Sequence, residues 1–150
     1  MRRDSVNIQT AYLGEVEIES SQILHFEHGI PGFENEKEFV LLPIEDNDAF
    51  HVLQSVGTAE LAFIVTNPYE ITTNYSFDID EAIAHSLLIN DPQEVAVLSI
   101  VSLKDTIEQS TINLKAPIVW NTTNNKAKQV ILNNDNYAIR HLISDESVKG

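Results

Sequence analysis

Short apolar runs recur along the chain roughly every 8–12 residues with turn-forming residues between them, the rhythm of an all-β domain. They predict strands over 5–11, 15–19, 22–26, 37–42, 50–55, 60–66, 73–77, 94–103, 109–114, 116–122, 127–132 and 137–143. Two kinds of strand are present. Glu15-Val16-Glu17-Ile18-Glu19 alternates strictly, so one face is wet and the other buried. Leu61 to Val65 and Val95 to Val101 are largely apolar on both faces, as expected for interior strands of a sheet that curls over or packs on itself.

One segment departs from this rhythm. Ile79, Ala82, Ile83 and Leu87 follow helical spacing. Asp78 is placed to be the N-cap, with Glu81 three residues on to complete a capping box. Asn90-Asp91-Pro92 supplies the stop, because proline cannot continue a helix and disfavours helix before it. The predicted fold class is mostly β: a compact antiparallel β-barrel-like or curled-sheet single domain with one short helix. Residues 1–143 form the domain, and 144–150 are a polar tail expected to fray.

A chain of 150 residues buries roughly 68–70% of the surface its unfolded form exposes, enough for a real core. There is no cysteine, which excludes disulfides, thiolate catalysis and the common structural zinc sites. No apolar run approaches the ~20 residues needed to span a bilayer as a helix. No signal peptide follows Met1-Arg2-Arg3, so the expected location is cytoplasmic and no membrane is expected as a partner.

The net charge is −14 and uneven: residues 1–75 carry 13 acidic and 3 basic side chains, residues 76–150 carry 10 and 6. Phosphate backbones are repelled by such a surface, so direct nucleic-acid binding is not expected. A basic protein is attracted, with encounter rates raised typically ~10- to 1,000-fold; alternatively the acidity simply confers solubility.

The motifs of nucleotide-binding loops and serine hydrolases are missing from the chain. His25 and His28 flank Phe26-Glu27, and both can reach one metal only if the chain turns between them, which Gly29 permits. Otherwise they are surface histidines. Arg140 and His141 lie on the last strand with no convergent acid or nucleophile named by the sequence, which favours a structural role. No catalysis, cofactor or metal is expected.

Four features suit contact. Glu15, Glu17 and Glu19 form a comb of carboxylates about 6.6–6.8 Å apart, or else the solvated face of a protected edge strand. His28-Gly29-Ile30-Pro31-Gly32-Phe33-Glu34 is a turn that places Phe33, either as a plug of the core or as a presented anchor, with Glu34, Glu36 and Glu38 directly after it. Glu45-Asp46-Asn47-Asp48 is an acidic loop between apolar strands, a solvated tip or an attractor of a basic partner. Trp120, the only tryptophan, suits a partly buried seam or a contact hot spot. The candidate protein-binding set is Phe33, Glu34, Glu36, Glu38, Asp46 and Asp48.

The ordered set Phe26-x-x-Gly29-Ile30-Pro31-Gly32-Phe33-Glu34, Phe50-x-x-Leu53-Gln54-Ser55, Ala62-Phe63, Asn113-Leu114-x-Ala116-Pro117-Ile118-Val119, Gln129-Val130-Ile131-Leu132 and Tyr137-x-x-Arg140 resembles the FliW family, from about Val6 to Leu142. Ile30 and Trp120 stand where the family carries other apolar residues. The resemblance implies a barrel-like, non-catalytic protein with two partners. One is cytoplasmic flagellin. The other is CsrA, a small RNA-binding translational repressor that the FliW-like protein sequesters until flagellin displaces it. The resemblance favours docking beside the RNA site over direct mimicry of phosphates. It also implies that flagellin's amphipathic terminal helices enter a groove with apolar anchors. The runner-up reading is an acidic module for another basic protein, possibly a nucleic-acid mimic.

Overall fold

The computed structural model describes residues 5–72, 75–133 and 136–143, so the tail 144–150 and positions 73 and 74 lie outside the described residues. Eleven strands are present among them: β1 (Ser5–Gln9), β2 (Glu15–Glu19), β3 (Ile23–Phe26), β4 (Glu38–Ile44), β5 (Asn47–Ser55), β6 (Ala62–Thr66), β7 (Val95–Ser102), β8 (Thr111–Ile112), β9 (Ile118–Asn121), β10 (Lys126–Gln129) and β11 (His141–Leu142). Strands β3 to β7 form an antiparallel meander. The β9–β10 hairpin then bridges its two ends: β9 pairs antiparallel with β7, and β10 pairs parallel with β3. Seven strands therefore close into a barrel. β8 and β11 extend the sheet beyond the second half of β7.

Alternation places one side chain of each pair inside. Leu24 and Phe26, Phe39, Leu53, Val65, Leu98, Ile118 and Ala127 make one buried cluster, with Phe63, Ile100 and Trp120 packed against it. Trp120 is partly buried, and its indole N–H donates to the Asn125 side-chain carbonyl at 3.0 Å. The outer faces of the central strands are covered as well, which accounts for the doubly apolar runs. The β1–β2 hairpin lays Ile8 and Ile18 over Ile23, Val40, Leu42 and Val52. At the other end, Phe50, Val101, Ile112 and Leu114 are covered by Tyr75 and Leu132. Tyr75 donates its hydroxyl to the Leu114 carbonyl at 2.7 Å, and burial, with the neighbouring Tyr69 and Tyr137 phenols, pushes its pKa up.

Gln54 fixes the hairpin to the barrel. It is fully buried on β5; its side-chain carbonyl accepts the Ala11 N–H at 2.9 Å, and its Nε2 faces the carbonyls of the β5–β6 turn, that of Ala59 at 3.1 Å among them. A buried amide is stable only with such partners.

Several sequence expectations are corrected. The helix, α1, spans Glu81–Ser86 and its N-cap is Asp80, whose Oδ1 accepts the Ile83 N–H at 2.9 Å; Asp78 does not cap it. The start is late because both backbone groups of Ser76 are held by the Tyr137 hydroxyl at 2.9 and 2.7 Å, which keeps the preceding chain extended. Nor does α1 run to Asn90. Leu88 turns left-handed (φ 55°), and the Ile89 and Leu88 N–H groups return to the carbonyls of Ala84 and His85. This is a glycine-type helix stop made without glycine. The described part of 73–77 is not a strand, and the last three predicted strands shorten or shift: β9 is Ile118–Asn121, β10 is Lys126–Gln129, and β11 keeps only His141–Leu142. The predicted strand over 109–114 keeps only Thr111–Ile112 because a short 3-10 turn, Ile107–Gln109, precedes it.

Fully buried Asn121 completes the helix stop. Its Nδ2 donates to the carbonyls of Leu87 and Leu88 at 2.9 and 3.2 Å, and its Oδ1 accepts from Thr123. Replacing it by alanine strands these groups, at about 1–3 kcal/mol for a buried unsatisfied partner. Asn121→Ala is therefore expected to lose about 2–3 kcal/mol in urea unfolding, with accelerated amide exchange at Leu88 and Ile89.

Candidate functional site

β3 ends at Phe26, where the Gly29 N–H returns to the Phe26 carbonyl at 2.9 Å and the chain reverses. Ile30 and Phe33 then pair across a tight loop, the Phe33 N–H donating to the Ile30 carbonyl at 2.6 Å. Gly29 (φ 71°) has no alternative residue: a Cβ there would sit 2.6 Å from the carbonyl oxygens of Phe33 and Glu34. Gly32 (φ 89°) faces open space. Ile30 is buried and closes that end of the barrel. Phe33 is 41% exposed and rests edge-on against Phe63 at 5.6 Å, so it is both a partial plug and a presented ring.

The acidic residues after the turn divide by role. The Glu34 carboxylate accepts the Gly32 N–H at 3.0 Å, and this backbone bond, with its own N–H, holds its pKa below the usual carboxylate value. Glu36 turns inward. Its two oxygens accept the hydroxyls of Ser55 at 2.7 Å and Thr58 at 2.8 Å, which likewise lower its pKa. Glu38 stays exposed, 3.8 Å from the His25 ring. Asp46 and Asp48 belong to the β4–β5 tip, where Asp46 takes φ 63° and both carboxylates are exposed. The tip lies at the other end of β4, about 20 Å from Glu38 at strand rise. The structure thus brings Phe33, Glu34, Glu36 and Glu38 together and leaves Asp46 and Asp48 apart. Glu15, Glu17 and Glu19 form a third acidic row, opposite Gln9, Asn7 and Ser5 on the hairpin's outer face.

Beside the turn lies a groove of about 350 Å³. One wall is Glu27 to Glu34, the other is Ser86 and Leu87 at the end of α1, and the floor is Ala127 with Lys128 and Gln129 of β10. It adjoins a second hollow of about 300 Å³ that shares Leu87 and Ala127 and reaches His25 and Lys126. The groove is mainly apolar. Sequence reasoning missed its α1 and β10 residues, since two segments some forty positions apart meet only through the closed barrel. Among the described residues, no three His, Asp or Glu side chains converge as a metal site requires, and no helix is long and apolar enough to cross a membrane.

An acidic turn, a half-exposed aromatic ring and an apolar groove are thus carried on a small closed seven-stranded β-barrel with one short helix, and this fold defines the class. Comparison with known proteins makes the class particular. The family described as "FliW protein" matches residues 7–143. The flagellar assembly factor FliW of Oceanobacillus iheyensis is 46% identical over 96% of this chain and 98% of its own length. That of Bacillus subtilis is 46% identical over 93% and 98%. A crystal structure of the flagellar assembly factor FliW superposes with a TM-score of 0.88 at 41% identity, covering 92% of this chain and 96% of that one. The chain belongs to the FliW family.

The two glycines should separate in mutagenesis. Gly32→Ala carries only the left-handed backbone penalty, about 1–2 kcal/mol. Gly29→Ala adds overlap with backbone oxygen and is expected to exceed about 3 kcal/mol in chemical denaturation.

Glu36 gives a pH test. Its folded pKa is depressed, so its contribution is present above the unfolded carboxylate value and is lost as pH falls through the lower, folded value. Glu36→Gln is therefore expected to be less stable than the wild-type chain at neutral pH. The gap should narrow as pH drops below about 4.5, read from urea midpoints across the range.

Proposed function

We propose that this chain is a cytoplasmic flagellar assembly factor that works by binding: it sequesters the translational repressor CsrA and releases it when flagellin takes its place. The observation that carries the assembly role is the barrel shared over nearly its full length with the flagellar assembly factor FliW. Two features of the surface support the partner reading. A net charge of −14 steers a basic protein such as an RNA-binding repressor. The apolar groove between the Glu27–Glu34 turn and α1 offers a seat for one face of an amphipathic helix, the form expected of flagellin's termini.

Within the candidate set, Phe33, Glu34 and Glu38 form the CsrA-facing surface in this reading. Glu36 is engaged in the fold, and Asp46 and Asp48 are too distant to share one small footprint. CsrA then docks beside its RNA site, and the loss of RNA affinity is a coupling free energy rather than mimicry of phosphate. Flagellin and CsrA exclude one another because the groove and the acidic turn share Glu34.

Calorimetric titration with CsrA, at about 0.1 and 1 M salt and with and without flagellin, tests the switch. Screening shortens from about 10 to 3 Å over that range. Binding should weaken with salt and vanish when flagellin is present. Salt-sensitive binding that flagellin leaves untouched would instead favour an acidic module for a basic protein. Stopped-flow association then locates the face. Glu38→Lys should slow CsrA association by roughly five- to tenfold, while Asp48→Lys stays within about twofold. Both should alter stability by less than about 0.5 kcal/mol.

A further inference from the structure

β10 does not end the extended chain. Beyond Gln129, the Val130 N–H donates to the Pro117 carbonyl and the Leu132 N–H to the Lys115 carbonyl, both at 2.8 Å, so residues 130–133 continue alongside the segment that leads into β9. In an extended chain successive N–H and C=O groups face opposite sides. The groups of Ile131 therefore face away from that segment, and among the described residues neither has a hydrogen-bond partner. β3, which borders β10 at Lys126 and Ala127, has already turned away at Phe26, so among the described residues the edge stands open. The Ile131 side chain is 66% exposed.

A hollow of about 490 Å³ runs along this edge, closed on its far side by Phe77, Asp78, Asp80 and Ile83 at the start of α1. Its walls offer apolar contact from Phe77, Ile83 and Leu132. Among the described residues, the charged groups lining it are the two aspartates. An open strand edge beside a largely polar, acidic hollow that keeps apolar contact points at Phe77, Ile83 and Leu132 selects one kind of occupant: an extended segment that hydrogen-bonds to the backbone, rests alternate apolar side chains on those points and directs lysine or arginine at the aspartates.

We infer that the 129–133 edge takes up an extended peptide of alternating apolar and basic residues from a partner protein, adding it to the sheet as a further strand. This surface lies at the N-terminal side of α1 and, among the described residues, meets the groove at its C-terminal end only at Gln129; it stands independently of the partner-switch reading.

The probes are two end-capped eight-residue peptides, one alternating valine and lysine, the other valine and glutamate, titrated against the full chain. Amide hydrogen exchange is followed by NMR. The valine–lysine peptide is expected to bind and to slow exchange at the Ile131 N–H about tenfold or more at saturation, as a new strand hydrogen bond would. The valine–glutamate peptide is expected not to bind. Asp78→Lys should weaken the valine–lysine peptide roughly fivefold at low salt. Ile131→Pro, which removes the donor, should abolish binding while Ile131→Ala retains it. If the proline variant unfolds, the exchange data and Asp78→Lys carry the test. Absence of binding at millimolar peptide, equal binding of the two peptides, or binding without protection at Ile131 overturns the proposal. So does protection at Ile131 that rises with protein concentration and no peptide, which would make a second copy of the chain the occupant.

Discussion

A ring of strands in which every neighbour is antiparallel needs an even number of members. This barrel has seven, so an odd number of its pairings must be parallel. The single parallel pairing falls between β3 and β10. It is also the shortest in the ring, with only Lys126 opposite His25 and Ala127 opposite Phe26, against six partnered positions between β4 and β5. Parallel pairing is slightly weaker per residue than antiparallel. The closure that gives the protein its core thus leaves one seam under-bonded, and much of the surface architecture follows from how that seam is finished.

On one side of the seam the chain leaves β3 through a turn that only glycine at position 29 allows, and Ile30 drops into the barrel end that the departing strand exposes. On the other side, α1 is drawn against the start of β10. Six residues are far too few for a stable isolated helix. What holds α1 is its ends: Asp80 at the N-terminus, and Asn121 from β9 gripping the last carbonyls. Leu88 accepts a left-handed backbone at that stop, a conformation disfavoured for a branched side chain by about 1–2 kcal/mol. The groove and the open 129–133 edge are both products of this finish. β3 and β10 part company after two residues, and the space between them is only partly refilled.

This explains what was legible in the sequence. Alternation reports which residues are buried, so the β-rich class, the strands β1 to β7 and the doubly apolar runs could all be read. The second apolar face of β4 to β7 reflected covering layers at two places, the β1–β2 hairpin and the Tyr75 cluster. Alternation does not report ring closure or parity, so nothing in the chain marked β3 and β10 as neighbours. The helix start was misplaced because a tyrosine sixty-one positions away holds Ser76 extended, a tertiary bond that local capping rules do not see. The acidic candidates were visible as residues but not as a surface. Glu36 reads like its neighbours in sequence, yet Ser55 and Thr58, brought close by the β5–β6 turn, take both its oxygens. Asp46 and Asp48 share its charge and lie a strand's length away.

In the proposed function, charge and groove divide the work of recognition. Nine basic side chains are spread through the whole sequence, and two of them, Lys126 and Lys128, stand on β10 at the seam. Lys128 lines the groove with Glu27 and Glu34, and Lys126 lines the adjoining hollow with Glu27, which brings the local charge of an otherwise strongly acidic protein towards balance. An apolar anchor entering there meets little net field and is held by burial, which salt does not weaken. The carboxylates outside the groove, Glu38 on β4 and Glu15, Glu17 and Glu19 on the hairpin, keep their negative potential and act at a distance, on encounter rather than on residence. On that proposal, a partner that arrives by charge and one that stays by burial are controlled separately by one small barrel. The seam is where the two demands meet, because there the closed sheet leaves room for a mainly apolar groove beside carboxylates.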